Sequence, residues 1–147
     1  ILTMKTFIAL SAVLSLGLAG PALARSQGGP ASDTPVLDGA TVAPDCGNLY
    51  DLAGKAFCVS APLAGVGGLA DAYMTLFEGQ GWLAAGGENN RVVLVKRRDS
   101  GGCDAMQMIA FYDTAAPVDA TATGYLGFAT IPGDVCTAAP EDAEPAQ

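Results

Sequence analysis

The sequence predicts a small α+β domain: one helix packed on a mainly antiparallel sheet, in the order β-α-β-β-β-β, held by two disulfides. Three observations predict it. One stretch alone carries apolar residues at helical spacing. Five others carry strand chemistry, several of them separated by hairpin-length turns. All four cysteines fall in the same part of the chain, in an even number.

The first strand is "KAFCVSA", Lys55 to Ala61, with Phe57 and Val59 on one face and Cys58 on the other. Pro62 then suits the first position of a helix, with Ser60 or Ala61 as its cap. From Leu63 to Glu78, Val66, Leu69, Ala70, Tyr73, Leu76 and Phe77 recur at the helical period, while Asp71, Thr75 and Glu78 fall on the other side. Gly65, Gly67 and Gly68 weaken the first turn, and Gly79 and Gly81 supply the stop. Trp82 to Ala85 is a short strand, and "GGENN" from Gly86 is turn chemistry. "RVVLVKRR", Arg91 to Arg98, is the strongest strand, with three valines and a leucine in a row. After the turn "DSGG", "CDAMQMIAFYD" from Cys103 returns as a strand. "GYLGFATI", Gly124 to Ile131, closes the sheet with Leu126, Phe128 and Thr130 on one face.

The flanks differ in composition. From Met4 the chain has Lys5, an apolar run from Phe7 to Leu18, Pro21, and then Ala22-Leu23-Ala24. That is the pattern of a secretory signal peptide, residues 1–24 with Ile1 to Thr3 as an upstream extension, cut near Ala24. The apolar run is too short to span a bilayer. Residues 25–44 are rich in Gly, Pro, Ser, Thr and Asp and are expected as a flexible leader. Residues 45–136 form the single domain, and residues 137–147, "TAAPEDAEPAQ", an acidic disordered tail. The expected location is therefore periplasmic or secreted, with the mature chain soluble and not embedded in a membrane.

Charge and cysteine content narrow the function classes. Six basic and fifteen acidic residues follow Ala24, a net charge of −9. Such a surface repels nucleic acid and anionic lipid. Four cysteines in an exported domain read as two disulfides, and the spacing favours Cys46 with Cys58 and Cys103 with Cys136. No CxxC is present, so a thioredoxin-like pair is absent at the motif level. The sequence contains no histidine. Ser-His and Cys-His nucleophiles are thereby removed, and so is imidazole as base or metal ligand.

Few candidate sites remain. "GVGGLA", Gly65 to Ala70, matches G-x-G-x-x-A after a strand, but the chain is too short for a doubly wound sheet; a Gly-rich turn packed closely on the sheet is the better reading. "ENN", Glu88 to Asn90, offers oxygens but lacks the alternating acids of a calcium loop. Lys96, Arg97 and Arg98 concentrate half of the mature basic charge at one hairpin end, a possible contact surface for an acidic partner. Met74, Met106 and Met108 are candidate thioether ligands for copper, although strand alternation turns Cys103 away from the last two. Acid pairs such as Asp104 with Asp113 are the only material for a carboxylate-based hydrolase, with Trp82 or a tyrosine as sugar platform.

The expected function is a non-catalytic binding or interaction module of the bacterial cell envelope, with no cofactor. Its partner would be another envelope protein or a small ligand. The contact surface would be the hairpin around Lys96 to Asp99 or the sheet face that the helix leaves open. A soft-metal carrier and a periplasmic hydrolase are the two alternatives.

Overall fold

The computed structural model describes residues 29–136. The expected signal segment, its expected cleavage point and the acidic tail lie outside the described residues. Within them, one helix packs on a six-stranded antiparallel sheet. The strands are β1 (Thr41–Val42), β2 (Phe57–Pro62), β3 (Leu83–Glu88), β4 (Arg91–Arg97), β5 (Cys103–Tyr112) and β6 (Thr123–Ile131). The helix α1 spans Val66–Gly79 and follows β2. Spatial order is β1-β2-β6-β5-β4-β3, so β6 and β5 are central and β1 and β3 are the edges. No helix among the described residues is long and apolar enough to cross a membrane.

Alternation along the central strands decides which side chains meet the helix. Register pairs Val59 with Leu126, Phe57 and Met108 with Phe128, and Met106 with Leu94. These residues share one face. Against them α1 turns Val66, Leu69, Tyr73 and Phe77, all buried, at the spacing expected for one helical stripe. Phe128 is the hub. Its ring centroid lies 4.8 Å from Tyr73 and 5.9 Å from Phe77, the separations at which aromatic pairs contribute beyond area burial.

The helix stop is well defined. Gly81 takes φ 93 and its N–H bonds the Glu78 carbonyl at 3.1 Å, while the Trp82 N–H reaches Phe77 O at 2.9 Å. That is a Schellman motif, and its customary apolar contact falls on the buried pair Trp82 and Phe77.

Several boundaries differ from the sequence reading. The domain begins before Asp45. A 3-10 turn at Pro30–Asp33 and strand β1 lie in the segment expected as a flexible leader, and Ala31, Thr34 and Ala43 are buried. Tyr73 explains part of this: its hydroxyl donates to Pro35 O at 2.7 Å and accepts from Leu37 N at 3.3 Å. Burial pushes the Tyr73 phenol up from its usual range. Pro62 ends β2 instead of opening the helix. Strand β1 stops opposite Ser60, so at Pro62 that edge is open and the missing N–H removes no ladder bond. A 3-10 turn, Leu63–Gly65, then precedes the helix. Strand β3 runs on through Gly86 and Gly87 to Glu88, with a register shift between Ala84 and Gly86. All six of its residues are exposed, so its ladder to β4 holds it with little burial.

The start of α1 is tight on one side only. Gly65, Gly67 and Gly68 have nothing within contact distance of an added Cβ, which removes the close packing expected of "GVGGLA". The close approach comes from β6 instead. A Cβ on Gly124 would overlap Val66 Cγ2 and stand 3.2 Å from Leu63 Cα. Gly124→Ala is therefore expected to destabilise the domain by about 1–3 kcal/mol, through overpacking where helix and sheet meet. Gly67→Ala should be neutral or stabilising by up to about 1 kcal/mol. Urea unfolding of both variants measures the difference; equal midpoints would show that the helix start does not sit on β6.

Candidate functional site

The three candidate methionines belong to the core. Met106 and Met108 are 1% and 6% exposed beneath α1, and Cys103, on the opposite face, is bonded to Cys136. The half-buried Met74 reaches the same core from the helix. Met74 and Met108 border a hollow beside Asn90, whereas Met106 borders a different one beside Lys96. The three thioethers thus fill space under the helix, the common use of a flexible apolar side chain, and do not converge on one accessible point. Among the described residues no cluster of three His, Cys, Asp or Glu is placed to hold a metal ion.

The basic triplet is divided in its roles. Arg98 Nε donates to Asp104 Oδ1 at 2.7 Å, and its Nη2 donates to Cys103 O at 2.9 Å and to Gly133 O at 3.0 Å. One guanidinium thereby ties the β4–β5 hairpin to the segment that carries Cys136. Lys96 and Arg97 point to opposite faces of β4. All three border a hollow of about 360 Å³ that also holds Asp33, Asp99 and Asp104. An acidic partner there meets three carboxylates, so the triplet is a mixed-charge surface, and Arg98 is a clamp.

The acid pair is also accounted for. Asp104 receives Arg98, and Asp113 Oδ1 accepts from Ala115 N at 2.9 Å in the turn after β5. They stand nine positions apart on extended chain, a span on the order of 30 Å. Paired carboxylates in glycosidases stand within about 10 Å. Trp82, the proposed platform, is 4% exposed and packed in the core. Glu88, the acid of "ENN", pairs with Arg91 at 3.8 Å.

The face opposite the helix carries a different arrangement. There Cys58, Phe111 and Tyr125 are covered by the chain from Ala43 to Ala56, which packs Cys46, Leu49 and Leu52 onto them. The Cys46–Cys58 disulfide and the Ala43 N to Cys58 O bond at 2.9 Å pin this segment to β2. Its backbone is unusual. Cys46, Asn48, Tyr50 and Asp51 have φ of 52°, 56°, 53° and 55°. The left-handed region costs an L residue roughly 1–2 kcal/mol, least for Asn and most for bulky side chains such as Tyr. Local bonds offset part of this: Asp45 accepts from Gly47 N at 3.0 Å and from Asn48 Nδ2 at 3.3 Å. Lys55 Nζ donates to Asp51 Oδ2 at 2.5 Å, which holds the Asp51 carboxyl below its usual range. That pair is exposed and contributes little to stability.

The strained loop delivers Tyr50. Tyr50 is 61% exposed, and its ring stands edge-on to Phe111 with centroids 5.9 Å apart. Phe111 in turn stacks on Tyr125 at 5.3 Å. The Tyr50 hydroxyl donates to Tyr112 O at 3.4 Å. Between Tyr50 and the β3–β4 turn lies a cleft of about 580 Å³, with Leu52, Ile109, Phe111 and Tyr112 among its apolar walls. Its volume is within the range of small-molecule sites. Asn89 and Asn90 form the far rim, and Asn90 Nδ2 donates to Ala110 O at 2.6 Å. Comparison with protein-family models, curated proteins and solved structures finds no match, so the site rests on the chain's own residues.

Sequence reasoning missed this cleft. Tyr50 and Tyr112 are 62 positions apart, and no local pattern joins them. The available signal was the density of turn-forming residues in "DCGNLYD", Asp45 to Asp51, next to a disulfide cysteine.

The split within the basic triplet is directly measurable. Arg98→Ala should cost about 1–3 kcal/mol, because a charge-assisted bond and two carbonyl contacts are lost together. Arg97→Ala, at an exposed position, should stay within about 0.5 kcal/mol of the parent. Thermal or urea unfolding of the oxidised variants reads both; equal losses would place Arg98 on the free surface.

Proposed function

We propose that this protein is an exported, disulfide-stabilised binding module of the bacterial cell envelope, non-catalytic, with its ligand site in the cleft beneath Tyr50. The observation that carries the reading is the loop Asp45 to Gly54, which holds four non-glycine residues in left-handed backbone and thereby sets an exposed tyrosine over Phe111. Strain of this kind persists only where the surroundings over-determine it, and it clusters at binding sites. Export is supported by the signal-like segment ending near Ala24 and by two disulfides, which persist in oxidising compartments. A binding role fits the chemistry at hand: the sequence has no histidine, and Asp104 and Asp113 serve the fold.

Screening the oxidised full chain with a library of small neutral fragments, by amide and aromatic NMR shifts, tests the site. Shifts should concentrate at Tyr50, Leu52, Asn89, Phe111 and Tyr112. Shifts concentrated at Lys96 to Asp99 instead, or spread over the whole surface, would contradict it.

A further inference from the structure

The lining of the cleft carries one more step, which rests on the cleft being the binding site. No Lys, Arg, Asp or Glu is among its lining residues. Its polar side chains are the amides of Asn89 and Asn90 and the hydroxyls of Tyr50, Tyr112 and Thr114. Every one of these groups can both donate and accept hydrogen bonds; the Tyr50 hydroxyl proton and one Asn90 amide proton are engaged within the fold, by Tyr112 O and Ala110 O, and leave their acceptor atoms and the whole Asn89 amide to a ligand. The remainder is aromatic or aliphatic, and Tyr50 and Tyr112 stay 61% and 38% exposed at the mouth.

A site with this inventory matches a ligand that is neutral, carries groups that themselves donate and accept, and has one apolar face to lay on a ring. A hexopyranose meets all three conditions: its hydroxyls pair with amides and hydroxyls, and its C–H face packs against an aromatic plane. A proline-rich peptide meets the aromatic condition but offers its carbonyls as acceptors alone, so half of the site's capacity is unused. An acidic sugar meets no cation in the cleft and a chain whose residues after Ala24 carry a net charge of −9. We infer that the cleft beneath Tyr50 binds neutral hexopyranose units of a glycan, with Tyr50 as the stacking platform and Asn89 as a hydroxyl partner.

Oxidised full chain is titrated with neutral tetrasaccharides of glucose, mannose, galactose and N-acetylglucosamine, with a tetrauronide, and with a decaproline peptide, following the Tyr50 and Phe111 ring signals. At least one neutral tetrasaccharide should saturate them, and the tetrauronide and the peptide should not. Tyr50→Phe should keep binding within about threefold, and Tyr50→Ala should lose about tenfold or more. Asn89→Gly keeps the left-handed backbone at that turn and removes the amide, so a loss of about fivefold or more there separates recognition from loop collapse. If neutral fragments still enter the cleft while none of the four sugars shifts it at about 10 mM, the glycan assignment is wrong and the binding site stands. If the peptide or the tetrauronide saturates the same signals in place of the neutral sugars, the assignment is equally overturned. If neither fragments nor sugars reach the cleft, the site itself is wrong.

Discussion

One helix must serve a six-stranded sheet, and the rest of the structure follows from that shortage. Six strands at about 4.8 Å spacing make a surface roughly 24 Å across. A helix with its side chains covers about 10–12 Å of it. The sequence meets the deficit on the helix side with segments that are not helices. The turn Pro30–Asp33 brings in Ala31, the chain before β1 brings in Leu37 and Ala40, and the Schellman stop folds Trp82 back beside Phe77. Tyr73 couples the two kinds of cover, since it is buried in the helix stripe and bonds the Pro35 and Leu37 backbone.

Among the described residues no α-helix lies on the second face, and a different device, which includes the 3-10 turn Cys46–Asn48, covers part of it. The chain from Ala43 to Ala56 packs Ala43, Cys46, Leu49 and Leu52 against this face. Its cross-link to Cys58 sets its position, and closing a short loop with a disulfide is worth on the order of 3 kcal/mol in the unfolded-chain account. Four left-handed non-glycine residues, at roughly 1–2 kcal/mol each, together cost more than the cross-link alone contributes. The geometry of the loop is thus imposed jointly by the cross-link and by packing on Phe111 and Tyr125. Where this cover ends, the face continues as the half-buried Val93, Val95, Gln107 and Ala129. The cleft beneath Tyr50 lies at the margin of the cover.

The parts of this architecture that repeat were legible in the sequence. The valine run of β4, the alternation of Leu126 and Phe128 and the Val66–Leu69–Tyr73–Phe77 stripe each declare a period, and the fold class follows from them. Both disulfides pair within local sequence distance, at separations of 12 and 33 residues, as spacing suggested. The parts without a period were not legible. A two-residue strand and a 3-10 turn leave no pattern in a Gly/Pro-rich segment, so residues 30–44 read as leader. Gly86 and Gly87 read as turn, yet an exposed edge strand needs no side chains to pack. At the surface, "KRR" hid the division between a clamp and its exposed neighbour. The Tyr50–Phe111 contact depends on tertiary structure alone, so no window of sequence contains it.

The Cys46–Cys58 cross-link, and not the local preference of the loop, holds Tyr50 over Phe111. Replacing both cysteines by alanine and recording aromatic NOEs tests it most directly. The Tyr50–Phe111 contacts should disappear while the Tyr73–Phe128 contacts under the helix persist, since that pair belongs to the other face. Tyr50–Phe111 contacts of unchanged strength in the double variant would contradict it.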